Sequence, residues 1–280
     1  MTTLPSSPGG SLDAARRLRE HWPEYALEAL GLALFMLSAA SFALVIEHPD
    51  SPVRAAVTDA LPRRLLMGVA MGLTAMTLIY SPLGARSGAH LNPITTITFL
   101  RLGRMHVVDA AAYVVAQFAG GLAGIANAAW LLRPWIMAPS VRYVATVPGE
   151  TWGTAAAFAA EAVITFVLMT VVLHVSNHAR WSRYTGVCAG LLVALYITIE
   201  APISGMSMNP ARSLGPALLS SAIAPLWIYF VAPAIGMLSA AELFVRTRGL
   251  EAVFCAKLHH HTRARCIFHC RFPELTDPVS

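Results

Sequence analysis

Six apolar stretches, each about as long as a membrane-spanning helix, constrain this 280-residue chain more than any other feature. A bilayer core about 30 Å thick requires roughly 20 apolar residues per helix. The stretches are bounded by charged residues or by Pro and Gly, and they cover residues 24–46, 62–81, 106–132, 153–175, 184–201 and 222–245. The sequence therefore predicts an all-α membrane protein with six transmembrane helices.

The composition excludes a soluble protein of this length. Apolar residues make up 56% of the chain and charged residues only 12%, whereas a soluble surface needs roughly 25–35% charged residues. The formal net charge is +5, but the basic residues do not form the concentrated stripe expected of a nucleic-acid-binding protein. We therefore expect membrane lipid, and no nucleic acid, among the partners.

The distribution of Lys and Arg predicts the orientation in the membrane. Six spans place both termini on one side, and most of the 20 Lys and Arg residues lie in the termini and connections of that side. Positive charge is retained in the cytoplasm, which predicts cytoplasmic termini in a plasma (inner) membrane. We expect no cleavable signal peptide, because the first 20 residues contain several Arg and no apolar run.

The chain contains two similar halves, at about 24–132 and 153–245. Glu28 in the first span corresponds to Glu161 in the fourth, and in each half an Asn-Pro pair follows a Ser-Gly pair, at Asn92-Pro93 and at Asn209-Pro210. Because each half has an odd number of spans, the second half is inverted relative to the first. Inverted repeats place their binding site near the bilayer midplane and use broken helices from both halves.

Each Asn-Pro pair is suited to begin a short re-entrant helix. Asn is a favoured N-cap, and Pro at the first helical position gives up only an N–H that had no partner. About ten semi-apolar residues follow each pair, 94–102 and 211–219, too few to span the membrane. Two such half-helices entering from opposite faces would point their positive dipole ends at one place.

These features together resemble the aquaporin (major intrinsic protein) family. The two boxes are similar to its paired Asn-Pro-Ala boxes, Tyr113 to Gly120 resembles its third helix, and Glu28 and Glu161 match glutamates of its first and fourth helices. The resemblance implies a bacterial-type, homotetrameric channel. It divides the chain into a cytoplasmic segment (1–23), a channel domain (24–247) and a cytoplasmic Cys/His-rich basic tail (248–280).

The candidate pore residues fall into two groups. In the two boxes, Asn92 and Asn209 would cap the half-helices and leave their amide groups to donate to water, which would break a proton wire; these boxes comprise Asn92, Pro93, Ile94, Asn209, Pro210 and Ala211. The resemblance implies a selectivity constriction formed by Met71, Ile197, Met206 and Arg212, with Gly72 as the alternative to Met71. An Arg at this depth lines a cavity as a rule.

Two positions give opposite indications about the transported molecule. Ser213 stands where glycerol facilitators of the family have Asp, which favours a water channel, whereas the apolar constriction favours a larger solute. Ile94 replaces the small Ala of the first box. The cargo therefore stays open between water and small uncharged solutes such as glycerol, ammonia, urea or metalloid hydroxides.

Glu28 and Glu161 allow a second functional class. A carboxylate inside the membrane is a functional candidate by default, and it would carry the proton in a coupled secondary transporter. In the family, the matching carboxylates brace the loop before each half-helix. A third class, an intramembrane serine protease on Ser207, would need a His on a later span, and the next His is in the tail. We therefore predict that the protein is not an enzyme.

The tail concentrates potential metal ligands. Cys and His are suited to zinc, and the candidate ligands are Cys255, His259, His261, Cys266, His269 and Cys270, with His260 among them in sequence. A basic tail lying on anionic lipid explains the same composition. Zinc on the tail is thus one of two interpretations, and no other cofactor is expected.

Overall fold

The computed structural model describes residues 9–276, with side chains from Asp13 onward. Helices account for most of these residues, and the described part contains no β-strand. The helices are α1 Gly9–Glu47, α2 Pro52–Ala56, α3 Ala60–Tyr80, α4 Pro82–Ser87, α5 Pro93–Arg101, α6 Val107–Leu131, α7 Gly153–Ser176, α8 Thr185–Ile199, α9 Ala201–Ser204, α10 Pro210–Ser220, α11 Ile228–Arg248 and α12 Phe272–Thr276. Short 3₁₀ turns cover Trp135–Met137, Arg142–Val144, Ser182–Tyr184 and Leu250–Ala252.

Six of these helices form the predicted bundle, and α5 and α10 are the two half-helices. By length and composition, five segments can cross a membrane: Asp13–Glu47, Val107–Leu131, Gly153–Ser176, Ser182–Ile199 and Ile228–Arg248. The sixth long helix, α3, is less apolar because Arg63 and Arg64 lie in its first turns. The predicted all-α fold with re-entrant half-helices is confirmed. The described part of 1–23 continues α1 without a break.

The packing of the bundle repeats between the halves. Helix α1 packs on α6, α7 packs on α11 in the equivalent position, and α3 packs on α8 between the halves. Glycines allow the close approaches: a Cβ on Gly124 would lie 2.7 Å from the Ala33 Cα, and one on Gly72 would lie 2.5 Å from the Gly190 carbonyl oxygen. Small residues allow helix backbones to approach closely in lipid, so these glycines serve contacts inside the bundle.

The loops before the two half-helices have matching backbones. Gly88 and Gly205 end the preceding short helices at φ 96° and 83°. Two residues in each loop are also left-handed without being Gly: Ala89 and Leu91 in the first half, and Met206 and Met208 in the second. Non-Gly residues adopt this conformation only where the surroundings impose it. The loops therefore need bracing by the bundle around them.

Candidate functional site

The two half-helices begin at facing asparagines. Asn92 Oδ1 accepts a hydrogen bond from Ile94 N (2.9 Å), and Asn209 Oδ1 accepts bonds from Ala211 N (3.0 Å) and Arg212 N (3.2 Å). Pro93 and Pro210 follow at the first helical position. This is the capping chemistry that the sequence predicts, with each side-chain oxygen committed to the helix N-terminus.

The amide groups of the two asparagines also cross between the halves. Asn92 Nδ2 donates to the Met208 carbonyl (2.8 Å), and Asn209 Nδ2 donates to the Leu91 carbonyl (2.7 Å). The prediction that the amide groups are left to donate to water therefore applies to only one hydrogen of each group. The left-handed residues Leu91 and Met208 direct their carbonyls at the opposite Asn, a contact between halves that spacing alone does not reveal.

A cavity of about 340 Å³ passes both asparagines. Glu47 and Ser140 lie at one end and Leu258 of the tail at the other, and all four proposed constriction residues line it: Met71, Ile197, Met206 and Arg212. Arg212 Nη1 donates to the Val144 carbonyl (3.1 Å) in the loop before α7. Gly72, the alternative to Met71, instead packs against Gly190 of α8.

The other residues of the two Asn-Pro boxes lie on the sides of the half-helices that face away from the cavity. Pro93, Ile94, Pro210 and Ala211 are buried but are not among the residues that line the cavity. Ile94 packs in an apolar cluster with Phe99 and Met237, so its additional bulk is directed away from the cavity. Thr95, one residue further along α5, lines the cavity and was not predicted.

Two buried carboxylates accept hydrogen bonds from the left-handed loops. Glu28 accepts bonds from the backbone N–H of His90 (3.0 Å) and Leu91 (2.6 Å), and also from the Ser87 hydroxyl and the Gln117 amide. Glu161 accepts bonds from Ser207 N (2.7 Å), Met208 N (2.7 Å) and the Ser204 hydroxyl. Neither Glu lines the cavity.

Comparison with known proteins assigns this geometry to a family. The model of the family described as "Major intrinsic protein" matches residues 16–244. The chain belongs to the major intrinsic protein family. This membership supports the prediction that the protein is not an enzyme.

The most similar relatives found include plant members of the family. The chain is 38% identical to Aquaporin NIP1-2 of Arabidopsis thaliana over 65% of its own length and 63% of the relative's. It is 35% identical to Nodulin-26 of Glycine max, covering 64% of each chain. The match thus spans less than two thirds of these relatives, and the expected bacterial-type affiliation is not confirmed.

A solved structure supports the fold independently. The aquaglyceroporin from Plasmodium falciparum is 21% identical, with a TM-score of 0.64 over 80% of this chain and 95% of that chain. At this identity, the similarity shows the membrane-channel fold of the family and no more.

Ser213, which was expected to favour water as the cargo, does not reach the cavity. Its side chain is fully buried, and its hydroxyl lies 2.7 Å from Thr146 Oγ1 and also contacts Ser207 Oγ. Ser207 Oγ in turn donates to the Asn209 carbonyl (3.0 Å). This hydroxyl network connects the loop before α7 to the second half-helix, and Thr146 was not predicted as part of it.

The tail folds back onto the bundle and gathers four potential metal ligands. The ligand atoms of Cys255, His260, Cys266 and Cys270 all lie within 4.8 Å of one another. Three of the predicted ligands lie outside this group: His261 contacts Ser182 Oγ (2.9 Å), His269 contacts the Gly103 carbonyl (2.9 Å), and His259 packs on Tyr80. His260 takes their place because its ring faces Cys270 Sγ at 3.0 Å.

Hydrogen bonds inside the cluster shift the pKa values of its side chains. Burial alone would lower the pKa of His260, but hydrogen bonds with the Cys266 and Cys270 thiols raise the pKa of His260 to about 9. Hydrogen bonds with Cys255 and Cys266 lower the pKa of the Cys270 thiol, whereas hydrogen bonds with Cys266 and Cys270 raise the pKa of the Cys255 thiol. Thiolates are the form of Cys that binds metals.

Proposed function

We propose that the protein is a passive channel for water and small uncharged solutes. The observation that carries this proposal is the pair of facing asparagines, each capping a half-helix and each lining one continuous cavity. Two positive helix ends at the same point repel cations. Each Asn amide retains one hydrogen for a passing water oxygen, which orients that water and interrupts proton hopping.

The constriction favours selection by size and polarity. Met71, Ile197 and Met206 provide apolar walls, and Arg212 provides a single group of hydrogen-bond donors. Such a ring admits molecules that present oxygen on one side and carbon on the other, so glycerol-like solutes are the alternative cargo, with water secondary. Since Ser213 bonds away from the cavity, we give the constriction more weight than Ser213.

Stopped-flow light scattering on proteoliposomes tests this proposal. An osmotic step in impermeant sugar measures water flow, and a step in glycerol measures re-swelling by solute entry. Rapid shrinkage in sugar supports a water pore, and rapid re-swelling in glycerol supports the solute pore. Fluxes no faster than those of empty liposomes in both steps, with and without a zinc chelator, would contradict the channel.

We propose bracing, and not proton coupling, as the role of Glu28 and Glu161. Glu28 accepts four hydrogen bonds and Glu161 three, and neither carboxylate itself lines the cavity. A Glu161→Gln variant distinguishes the two roles, because it removes an acceptor and also a titratable group. A coupled transporter would be favoured if an imposed proton gradient changed the solute flux through the wild type but not the flux through the variant.

We propose that the tail cluster binds zinc. With Zn–S bonds of about 2.3 Å, a tetrahedral site separates its sulfurs by about 3.8 Å, and Cys255 Sγ lies 3.6 Å from Cys266 Sγ. The Lys257 backbone N–H donates to Cys255 Sγ (3.5 Å), as ligand-supporting groups do. Elemental analysis of purified protein, with Cys266→Ser as the variant and Cys188→Ser as the control, measures the zinc content.

We also propose a homotetramer in the plasma membrane with both termini in the cytoplasm, and a channel domain at 24–247 followed by the tail. Family membership supports the assembly, and the excess of Lys and Arg on the side of the termini supports the orientation. Native mass spectrometry in detergent measures the assembly. Labelling of an introduced Cys in the tail with impermeant reagents measures the orientation.

A further inference from the structure

From the arrangement of the tail, we infer that zinc bound to Cys255, His260, Cys266 and Cys270 holds a plug in the inner mouth of the pore, so that loss of the metal opens the channel. The inference rests on the proposed channel function and on the proposed zinc site.

The tail reaches the cavity at one end. Leu258 belongs to the tail, yet it is buried and lines the same cavity as Asn92 and Asn209. Its backbone N–H donates to the Gly88 carbonyl (3.1 Å), in the loop that precedes the first half-helix. The Leu258 side chain therefore lies at the end of the cavity, which is where we place the plug.

A second tail residue holds the loop from the side. The Phe268 ring stacks on His90 with 5.3 Å between centroids, and it packs edge-on against Tyr113. His90 Nε2 also lies 2.8 Å from the Ala256 carbonyl oxygen of the tail. Side chain and backbone of the tail together enclose His90, two residues before the pore asparagine.

The candidate ligands bracket both inserted residues. Cys255 and His260 lie on either side of Leu258, and Cys266 and Cys270 lie on either side of Phe268. Metal bound by all four would fix both ends of each inserted segment at once. Without it, the two short loops would be held only by the packing of Leu258 and Phe268 and by hydrogen bonds, and ordering a loop residue costs about 1–2 kcal/mol in backbone entropy.

The charge balance of the site suits zinc. Three thiolates and a neutral imidazole around Zn²⁺ leave one negative charge. Lys257 is buried beside the cluster, and its Nζ donates to the carbonyls of Arg265 (2.9 Å) and Ala264 (3.3 Å). Its ammonium group offsets that charge inside the tail, which explains why a Lys is buried at this position.

The test uses the full chain in proteoliposomes, purified with zinc, with the zinc content measured in parallel. Water permeability is recorded before and after addition of a membrane-permeant zinc chelator. We expect chelation to raise the permeability of the wild type several-fold, and re-addition of zinc to reverse the change. Cys188→Ser, whose sulfur lies in α8 outside the cluster, is the matched control and should respond as the wild type does.

Two further variants separate metal binding from plugging. Cys266→Ser with Cys270→Ser should lack zinc, conduct rapidly and ignore the chelator. Leu258→Ala with Phe268→Ala should retain zinc yet conduct rapidly, because the ligands stay while the inserted side chains are removed.

Three outcomes would overturn the inference. Equal permeability of the zinc-loaded wild type before and after chelation would contradict the gate, but not the channel or the metal site. A wild-type protein that contains no zinc after purification with zinc would contradict the metal site and therefore the gate. Permeability at the level of empty liposomes under every condition, including the Leu258→Ala with Phe268→Ala variant, would contradict the proposed channel itself.

Discussion

Asn209 Nδ2 and the Leu91 carbonyl oxygen lie 2.7 Å apart, which joins the second half-helix to the loop of the first. The reciprocal bond runs from Asn92 to Met208. Each asparagine therefore caps its own helix and also fixes the opposite loop. A substitution at either position affects both halves of the pore.

Replacing Asn209 by Asp tests this double role. The carboxylate can still cap Ala211 N and Arg212 N, but it cannot donate to Leu91 and it adds negative charge at two positive helix ends. We expect lower water permeability and a measurable proton or cation leak, recorded with a pH-sensitive dye inside the liposomes. Asn127→Asp is the control, since Asn127 is exposed on α6 and lies outside the cavity lining. Unchanged exclusion of protons and cations by Asn209→Asp would contradict the idea that charge is excluded at the two helix ends.

Arg212→Ala removes the one cationic group among the four constriction residues. We expect the larger opening to raise uptake of glycerol and of bulkier polyols relative to water, and to relax cation exclusion. Arg183→Ala is the control, because Arg183 is exposed in the connection between α7 and α8. Solute uptake is measured by light scattering in a series of polyols of increasing size. An unchanged size limit would place the selective step elsewhere along the cavity.

Ser213→Ala should lower the thermal stability of the protein without changing the selectivity of the channel. The substitution leaves the Thr146 and Ser207 hydroxyls without their shared partner, and an unsatisfied buried polar group costs about 1–3 kcal/mol. We expect a lower unfolding temperature in detergent and the same ratio of glycerol to water permeability as the wild type. A shifted ratio would show that Ser213 controls the pore through the position of the second half-helix.

Gly124→Ala should disrupt the contact between α1 and α6. Its Cβ would lie 2.7 Å from the Ala33 Cα and 2.9 Å from the Met36 Cβ, and overpacking a tight core costs about 1–3 kcal/mol. We expect reduced thermal stability by a fluorescence unfolding assay. Ala119→Val, on an exposed position of the same helix, should have almost no effect. Equal stability of both variants would mean that the bundle relaxes around Gly124.

Much of this architecture could be predicted because it depends on patterns local in sequence. Span length, the capping Asn-Pro pairs and the repeated Glu each have one dominant physical reason, and the structure contains all three. Asn92 and Asn209, and also Met71 and Arg212, which the family resemblance implied, all line one cavity.

The parts that could not be predicted depend on contacts between distant segments. The crossed bonds from the asparagines require the left-handed carbonyls of the opposite loop. The choice of His260 over its two neighbours depends on which ring the folded tail turns toward Cys270. Likewise, no periodicity in the sequence indicates that Leu258 belongs to the cavity.

The inferred plug obstructs only one mouth of the pore, yet it cannot make the channel conduct in one direction only. Water in a passive pore moves in both directions through the same constrictions in series, so at small gradients an obstruction at Leu258 lowers inward and outward permeability equally. Swelling and shrinking of the same vesicles should therefore slow by the same factor. Any rectification would require the obstruction itself to be moved by the flow.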